Sequence, residues 1–244
     1  EPKEFIGNLK AALKRYELYK RGKKWMLPPE RADQIVEAGK VDTLKAPSDS
    51  VPSGITEFNG SIWLAQGALF QLDRKSGKVL NRFTLPASVA DLCNDGKQIY
   101  AVTYGWTAGK PIYIIDPGNG KVIREIVTQE NKKNRSHGAK GIAWHAGHLY
   151  VLSGMRGKLH KLNIDTGKSI SETQLEGTWL SGLDVNNGRF VAGSRDHLIE
   201  FDSATGKLIR KTACNYPLRN VATSGSRNSF LLMEQPIFGF GPKH

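Results

Sequence analysis

Cysteine is nearly absent from this chain. Cys93 and Cys214 are the two in 244 residues, too few for a disulfide framework or a thiolate metal site. Cys93 falls in an apolar strand and Cys214 in a later loop, so they read as two separate thiols. Long apolar runs are missing too. The longest pieces, such as Ile112–Ile115 and Phe230–Met233, are far shorter than the ~18 residues of a membrane span. The 26 Gly and 11 Pro follow no three-residue period, and with 39% hydrophobic residues the composition excludes collagen-like structure and disorder. Negative charge is the scarcer sign: 23 Asp and Glu against 35 Lys and Arg leave a net charge of +12, which bears on partners and solubility, not on fold. There is no Gly-Lys-Ser/Thr phosphate loop and no Gly-x-Ser-x-Gly elbow, and Gly239-Phe240-Gly241 opens no helix. The first residue is Glu1 and no leader pattern follows it; the expectation is a mature periplasmic or secreted chain whose leader has been removed.

What the chain does have is a repeat. Four segments share one phrase: Leu69–Asp73 leading to Gly77-Lys78-Val79, Ile112–Asp116 leading to Gly120-Lys121-Val122, Leu159–Leu162 leading to Asp165-Thr166-Gly167-Lys168, and Leu198–Asp202 leading to Gly206-Lys207-Leu208. Each is an alternating strand, an Asp-containing turn with Gly where positive φ is needed, and a second alternating strand. Ahead of each lies another pair of strands, and the units start at 54, 91, 141, 182 and 220. Four strands in roughly 40 residues is the period of a β-propeller blade. The fifth unit ends early, with Ile237–Gly241 as its third strand, while Gly39-Lys40-Val41 and Asp42–Ala46 supply a missing strand at the other end. Pairing residues 40–46 with Ile237–Gly241 would remove an exposed sheet edge. The fold expected is all-β: a five-bladed propeller closed three-plus-one by an N-terminal strand.

Residues 1–38 read as a helical arm and 39–244 as the propeller. Phe5, Leu9, Leu13 and Tyr16 recur at helical spacing, so Lys3–Tyr19 is expected to be an amphipathic helix, and Glu30–Ala38 a second short one ended by Gly39. The arm is basic: residues 1–24 hold eight Lys or Arg against three Glu, a pattern that suits a partner chain or an anionic surface.

The Asp-x-x-Thr-Gly-Lys phrase, at Asp202–Lys207 and in shorter form at Asp165–Lys168, resembles the repeats of quinoprotein-type and streptogramin-lyase-like bacterial propellers. The tryptophan that quinoprotein blades carry three residues after Gly-Lys is replaced by Asn81, Arg124, Ser171 and Arg210, which argues against a pyrroloquinoline quinone enzyme. Blade count and length are also similar to plant-type glutaminyl-peptide cyclotransferases. That resemblance implies a Phe-Thr-Gln-Gly opening and an acidic residue on the next strand. Here the opening is Val51-Pro52-Ser53-Gly54 and the acidic position is Leu64, an aliphatic side chain that transfers no proton.

Functional expectations therefore rest on one face. The loops between blades and between second and third strands share a face of a propeller, and here they bring Trp106, Lys140, Arg156, Trp179, Arg195, Asp196, Tyr216, Arg219 and Glu234 toward it from every blade. Loops on a rigid scaffold are where binding residues usually sit. Guanidinium groups grip carboxylates and indole faces stack on sugar rings or peptide planes. The reading is an exported, non-catalytic binding or assembly module that takes an acidic saccharide, peptide or partner protein on its axial face or through its N-terminal helix, with no cofactor and no metal. Two alternatives stand beside it. One is a propeller enzyme, cyclotransferase-like or a lyase, using Glu234, Asp196 or His197. The other is a basic binder of nucleic acid or an anionic surface, disfavoured because no recognition motif accompanies the charge.

Overall fold

The computed structural model describes residues 35–37, 47–48, 50–104, 110–127, 138–153, 157–177, 179–224 and 229–234; for 35–37, 195–196, 215–217, 219, 224 and 229–234 the description is of the backbone. The chain divides into residues 1–35 and 36–244, and all of the described residues except Ile35 lie in the second unit. Every described element is a strand.

Three four-stranded antiparallel sheets follow one another in strict sequence order. The first holds β2 (Gly54–Phe58), β3 (Ser61–Ala65), β4 (Leu69–Asp73) and β5 (Val79–Phe83). The second holds β6 (Val89–Asn94), β7 (Ile99–Thr103), β8 (Ile112–Ile115) and β9 (Val122–Ile126). The third holds β10 (Ala139–His145), β11 (His148–Ser153), β12 (Lys158–Leu162) and β13 (Ser169–Gln174). The fourth is built on β14 (Ser181–Asn186), β15 (Arg189–Phe201) and β16 (Leu208–Ser224), with β17 (Ser229–Glu234) and the short β1 (Ile35–Glu37) both beside β16. First strands pack on one another around an axis: β2 on β6, β6 on β10, β10 on β14, β14 on β16, and β16 back on β2.

This corrects two expectations. The described residues form a four-bladed propeller, not five blades. The stretch from Asn220 onward, read as the start of a fifth blade, continues β16 without a break, because Leu218 pairs with Arg195 on one side and Glu234 on the other. Residues 214–219, read as an inter-blade loop, are extended chain, and Cys214 is a buried strand residue. The helical arm is the second correction. Ile35–Glu37, assigned to a helix, is a strand, and no helix occurs among the described residues. Lys3–Tyr19 and the closing pair 40–46 with Ile237–Gly241 lie outside the described residues.

The turns carry the repeat as expected. Asp73 Oδ1 accepts the Ser76 N–H (2.8 Å) and hydroxyl (2.7 Å), and Asp202 Oδ1 accepts the same pair from Thr205 at 2.8 and 2.7 Å. In the third blade the acceptor is Asn163, which takes the Thr166 N–H and hydroxyl, so Asp165 is not the residue that closes that turn. Gly77, Gly120, Gly167 and Gly206 follow with φ between 66° and 71°, where a side chain is disfavoured. Apolar residues of adjacent sheets meet between the blades. Tyr100 of the second blade stacks on Trp144 of the third at 5.6 Å, while Trp63, fully buried, stacks on Phe83 of its own blade at 5.8 Å.

Candidate functional site

At the axis, one position of the first strand recurs in all units. Gly54, Asp91, Gly141 and Asn220 pair with Ala65, Val102, Leu152 and Met233 respectively, and Gly182 takes the same place in β14. Here the strands converge. A Cβ on Gly54 would lie 2.7 Å from the Asp91 Cα, one on Gly141 2.6 Å from the Leu183 Cβ, and one on Gly182 2.4 Å from Asn220 Oδ1. The space admits two side chains, and Asp91 and Asn220 fill it.

Every polar atom of that pair is used. Asp91 Oδ2 accepts the N–H groups of Ile142 (2.9 Å) and Leu183 (3.1 Å); Oδ1 accepts the Leu92 N–H (2.8 Å) and the Asn220 amide (2.7 Å). Asn220 Nδ2 also donates to Ser53 O at 2.8 Å, and Asn220 Oδ1 accepts the Val221 N–H at 2.6 Å. First strands of all four blades and the last segment of β16 are thereby tied through one carboxylate and one amide. Burial pushes the Asp91 carboxyl well above the ordinary carboxylate range, while its four N–H partners pull it the other way. Asp184, which accepts the Thr223 N–H (2.6 Å) and hydroxyl (3.0 Å), is also raised by burial. In the sequence Asp91 is one polar letter inside an apolar strand and carries little signal alone. Aligning the repeats at Gly54, Gly141 and Gly182 would have exposed it.

The axial face differs. Of the nine expected site residues, the side chains of Lys140 and Trp179 are described. Trp106 and Arg156 lie outside the described residues, as do the side chains of Arg195, Asp196, Tyr216, Arg219 and Glu234. Backbone register sets Arg195 and Glu234 on either side of Leu218, next to Arg219. Lys140 sits at a bulge, between the Ala139–Ser153 and Gly141–Leu152 pairs, where a strand re-aims a side chain. Trp179 is 54% exposed and has φ of +62°, a backbone state foreign to a bulky residue. Its neighbour Leu180 is buried and packs over Gly157 and Gly177, so the loop is anchored on one side of the indole. The Leu175 N–H donates to Gly157 O at 3.0 Å, and Ala139 pairs with Ser153. Lys140 and Trp179 therefore lie at the same end of the third blade.

Residues outside the expected nine have structural places. Leu64 is buried in an apolar cluster with Ile55, Phe70 and Ala222. His145 packs edge-on against Phe190 at 5.7 Å, and the Nδ1 of His148 lies 2.8 Å from Ala146 O. A cluster that the sequence analysis missed lies in the third blade, where the Ser153 hydroxyl and His160 Nε2 are 2.7 Å apart and His160 Nδ1 is 3.2 Å from Glu172 Oε1. The positions matching His160 in the other blades are Phe70, Tyr113 and Ile199. Ser153 and His160 are buried, so this is a polar tie across three strands.

Comparison with known proteins agrees with this architecture. A family model described as outer membrane protein assembly factor BamB matches residues 108–213. No curated protein matches the chain significantly by sequence. Among solved structures, a glutaminyl cyclase from Myxococcus xanthus is similar with a TM-score of 0.65 and 17% identity, over 77% of this chain and 87% of that one. A hydrazine synthase from Kuenenia stuttgartiensis (TM-score 0.47, 13% identity, 76% of this chain and 54% of that one) and the WD40 propeller domain of Doa1 (0.49, 14%, 74% and 59%) are more distant, and the chain spans little more than half of each. At such identities the likeness is one of fold. The chain is a β-propeller, and its residues 108–213 are similar to the repeats of that assembly-factor family.

Proposed function

We propose that this propeller is an exported, non-catalytic assembly or binding module that holds an acidic peptide segment or saccharide on its axial face. The observation that carries the reading is Trp179. An exposed indole held at positive φ costs backbone strain of about 1–3 kcal/mol, and strain of that kind clusters where a side chain must be presented. Lys140 adds positive charge at the same end of the blade, and Arg156, Arg195 and Arg219 are the further cations assigned to this face. The match of blades two to four to an assembly-factor model supports assembly over catalysis. So does the axis, whose carboxylate is engaged by four N–H donors.

The test is a titration with a glutamate-rich peptide, followed by calorimetry at low and moderate salt. Saturable binding that survives moderate salt is expected. Arg195→Ala and Arg219→Ala should each weaken it by about 1–3 kcal/mol, the range for a charge-assisted hydrogen bond, with melting unchanged. Affinity that collapses at moderate salt would instead favour a purely electrostatic binder. The glutaminyl cyclase likeness is checked in parallel: cyclisation of a peptide with an N-terminal glutamine would overturn the non-catalytic reading.

A further inference from the structure

Three asparagines of the chain precede glycine: Asn59, Asn119 and Asn187. Glycine has no Cβ to shield its own nitrogen, so that nitrogen can attack the side-chain amide of the asparagine before it. Whether it does depends on what holds the two groups, and the fold treats the three pairs differently.

Asn59-Gly60 and Asn187-Gly188 are the two-residue turns of the β2–β3 and β14–β15 hairpins, closed by the Phe58–Ser61 and Asn186–Arg189 pairs. All four turn residues are exposed and have positive φ, as such a turn requires. Nothing packs on either glycine: a Cβ at Gly60 or Gly188 would meet no atom within 4 Å. Among the described residues, no group bonds the Asn59 or Asn187 amide, and no acceptor takes the N–H of Gly60 or Gly188.

Asn119-Gly120 is locked. Asn119 Nδ2 donates to Asp116 Oδ2 at 2.7 Å, and its Oδ1 accepts the Lys121 N–H at 2.9 Å. The Gly120 N–H donates to Asp116 O at 2.8 Å. The Phe83 ring covers this buried glycine so closely that a Cβ would lie 2.2 Å from it. Both reacting groups are occupied.

We propose that Asn59 and Asn187 are sites of self-modification, converting through a succinimide to aspartate and isoaspartate, while Asn119 is protected. The Gly60 nitrogen loses its proton to base and bonds to Asn59 Cγ, and the side-chain amide leaves as ammonia. Water then opens the ring. Attack at Cγ gives aspartate; attack at the backbone carbonyl gives isoaspartate, which routes the chain through the side chain and adds one backbone atom. Gly188 acts in the same way on Asn187. A hairpin whose register is set by a two-residue turn cannot absorb that atom without distortion. Each conversion also lowers the net charge of +12 by one.

The experiment incubates the full chain in mildly alkaline and mildly acidic buffer. Each site is followed by peptide mapping with electron-transfer mass spectrometry, which separates aspartate from isoaspartate. Conversion at Asn59 and Asn187 is expected, faster in alkali because the attacking nitrogen must lose its proton. Asn119 should lag by at least about tenfold, the factor that breaking one hydrogen bond supplies. The same chain held unfolded in urea should convert all three at comparable rates, which assigns the difference to the fold. Asn119 keeping pace in the folded chain overturns the proposal, as do intact Asn59 and Asn187 where the unfolded chain converts. Rates in urea that repeat the folded order overturn it as well.

Discussion

The axis and the axial face are built from the same strands and treat polar groups in opposite ways. At the axis, Asp91 and Asn220 join first strands of all four blades, and each of their polar atoms has a protein partner. On the face, Trp179 is 54% exposed at a backbone angle that a bulky residue resists. The difference teaches where this propeller keeps its stability and where it keeps its binding capacity. Groups that are fully used hold the ring. In the function proposed above, the strained group is the one offered to a ligand.

The largest way to break that contrast is at the axis. Asp91→Ala leaves the buried N–H groups of Leu92, Ile142 and Leu183 and the Asn220 amide without their acceptor, at about 1–3 kcal/mol each before the site relaxes. A total loss of about 3–6 kcal/mol is expected, read as a collapse of the urea midpoint. A midpoint within error of the parent would mean that the carboxylate is not the tie. Gly182→Ala should cost less, about 1–3 kcal/mol, because the new Cβ meets Asn220 and Val221 at a φ of +64°. Gly188→Ala, also at positive φ but with nothing within 4 Å, is the control that isolates strain from crowding, and should cost less again.

Smaller effects come from titration, where axis and turns have opposite signs. Asp91 has its folded-state value above the unfolded one, so its contribution is full below the ordinary carboxylate value of about 3.9 and is lost as pH rises through the raised value. Asp73 and Asp202 are held below the ordinary range, chiefly by the hydroxyls of Ser76 and Thr205. Their contribution is present above the ordinary value and is lost as pH falls through the lowered one. Melting temperature against pH should show both. Asp91→Asn removes the gain on the acid side, and Asp202→Asn flattens the acid loss by giving up the ionised group's contribution at neutral pH, while its amide oxygen keeps the turn's acceptor as Asn163 does in the third blade. Identical profiles for the two variants would erase the distinction.

The turns were the most legible part of the sequence, because an Asp or Asn oxygen, a hydroxyl three residues on and a left-handed glycine are all local requirements. The strands between them were legible by alternation. What failed depended on long-range pairing. Pro217 and the polar residues around Cys214 resemble a loop, yet pairing of Leu218 on both sides keeps the chain extended and merges two expected blades into one sheet. Ile35–Glu37 fell in a stretch read as a helix ended by Gly39, but its β-branched pair Ile35-Val36 lies in a sheet. Asp91 was invisible for the same reason: its four donors include backbone groups 51 and 92 residues away. On the face, the loop position of Trp179 was legible, but its positive φ was not, since no glycine marks the position.

Trp179→Gly tests the division between axis and face most directly. Glycine accepts the +62° backbone angle that tryptophan resists. The substitution should leave the melting temperature equal to the parent or raise it, by up to about 1 kcal/mol of stability, while weakening the glutamate-rich peptide at least about tenfold by calorimetry. A stable variant that binds as the parent does would contradict the account, and so would a variant that loses its fold, because the indole would then be a structural group like those at the axis.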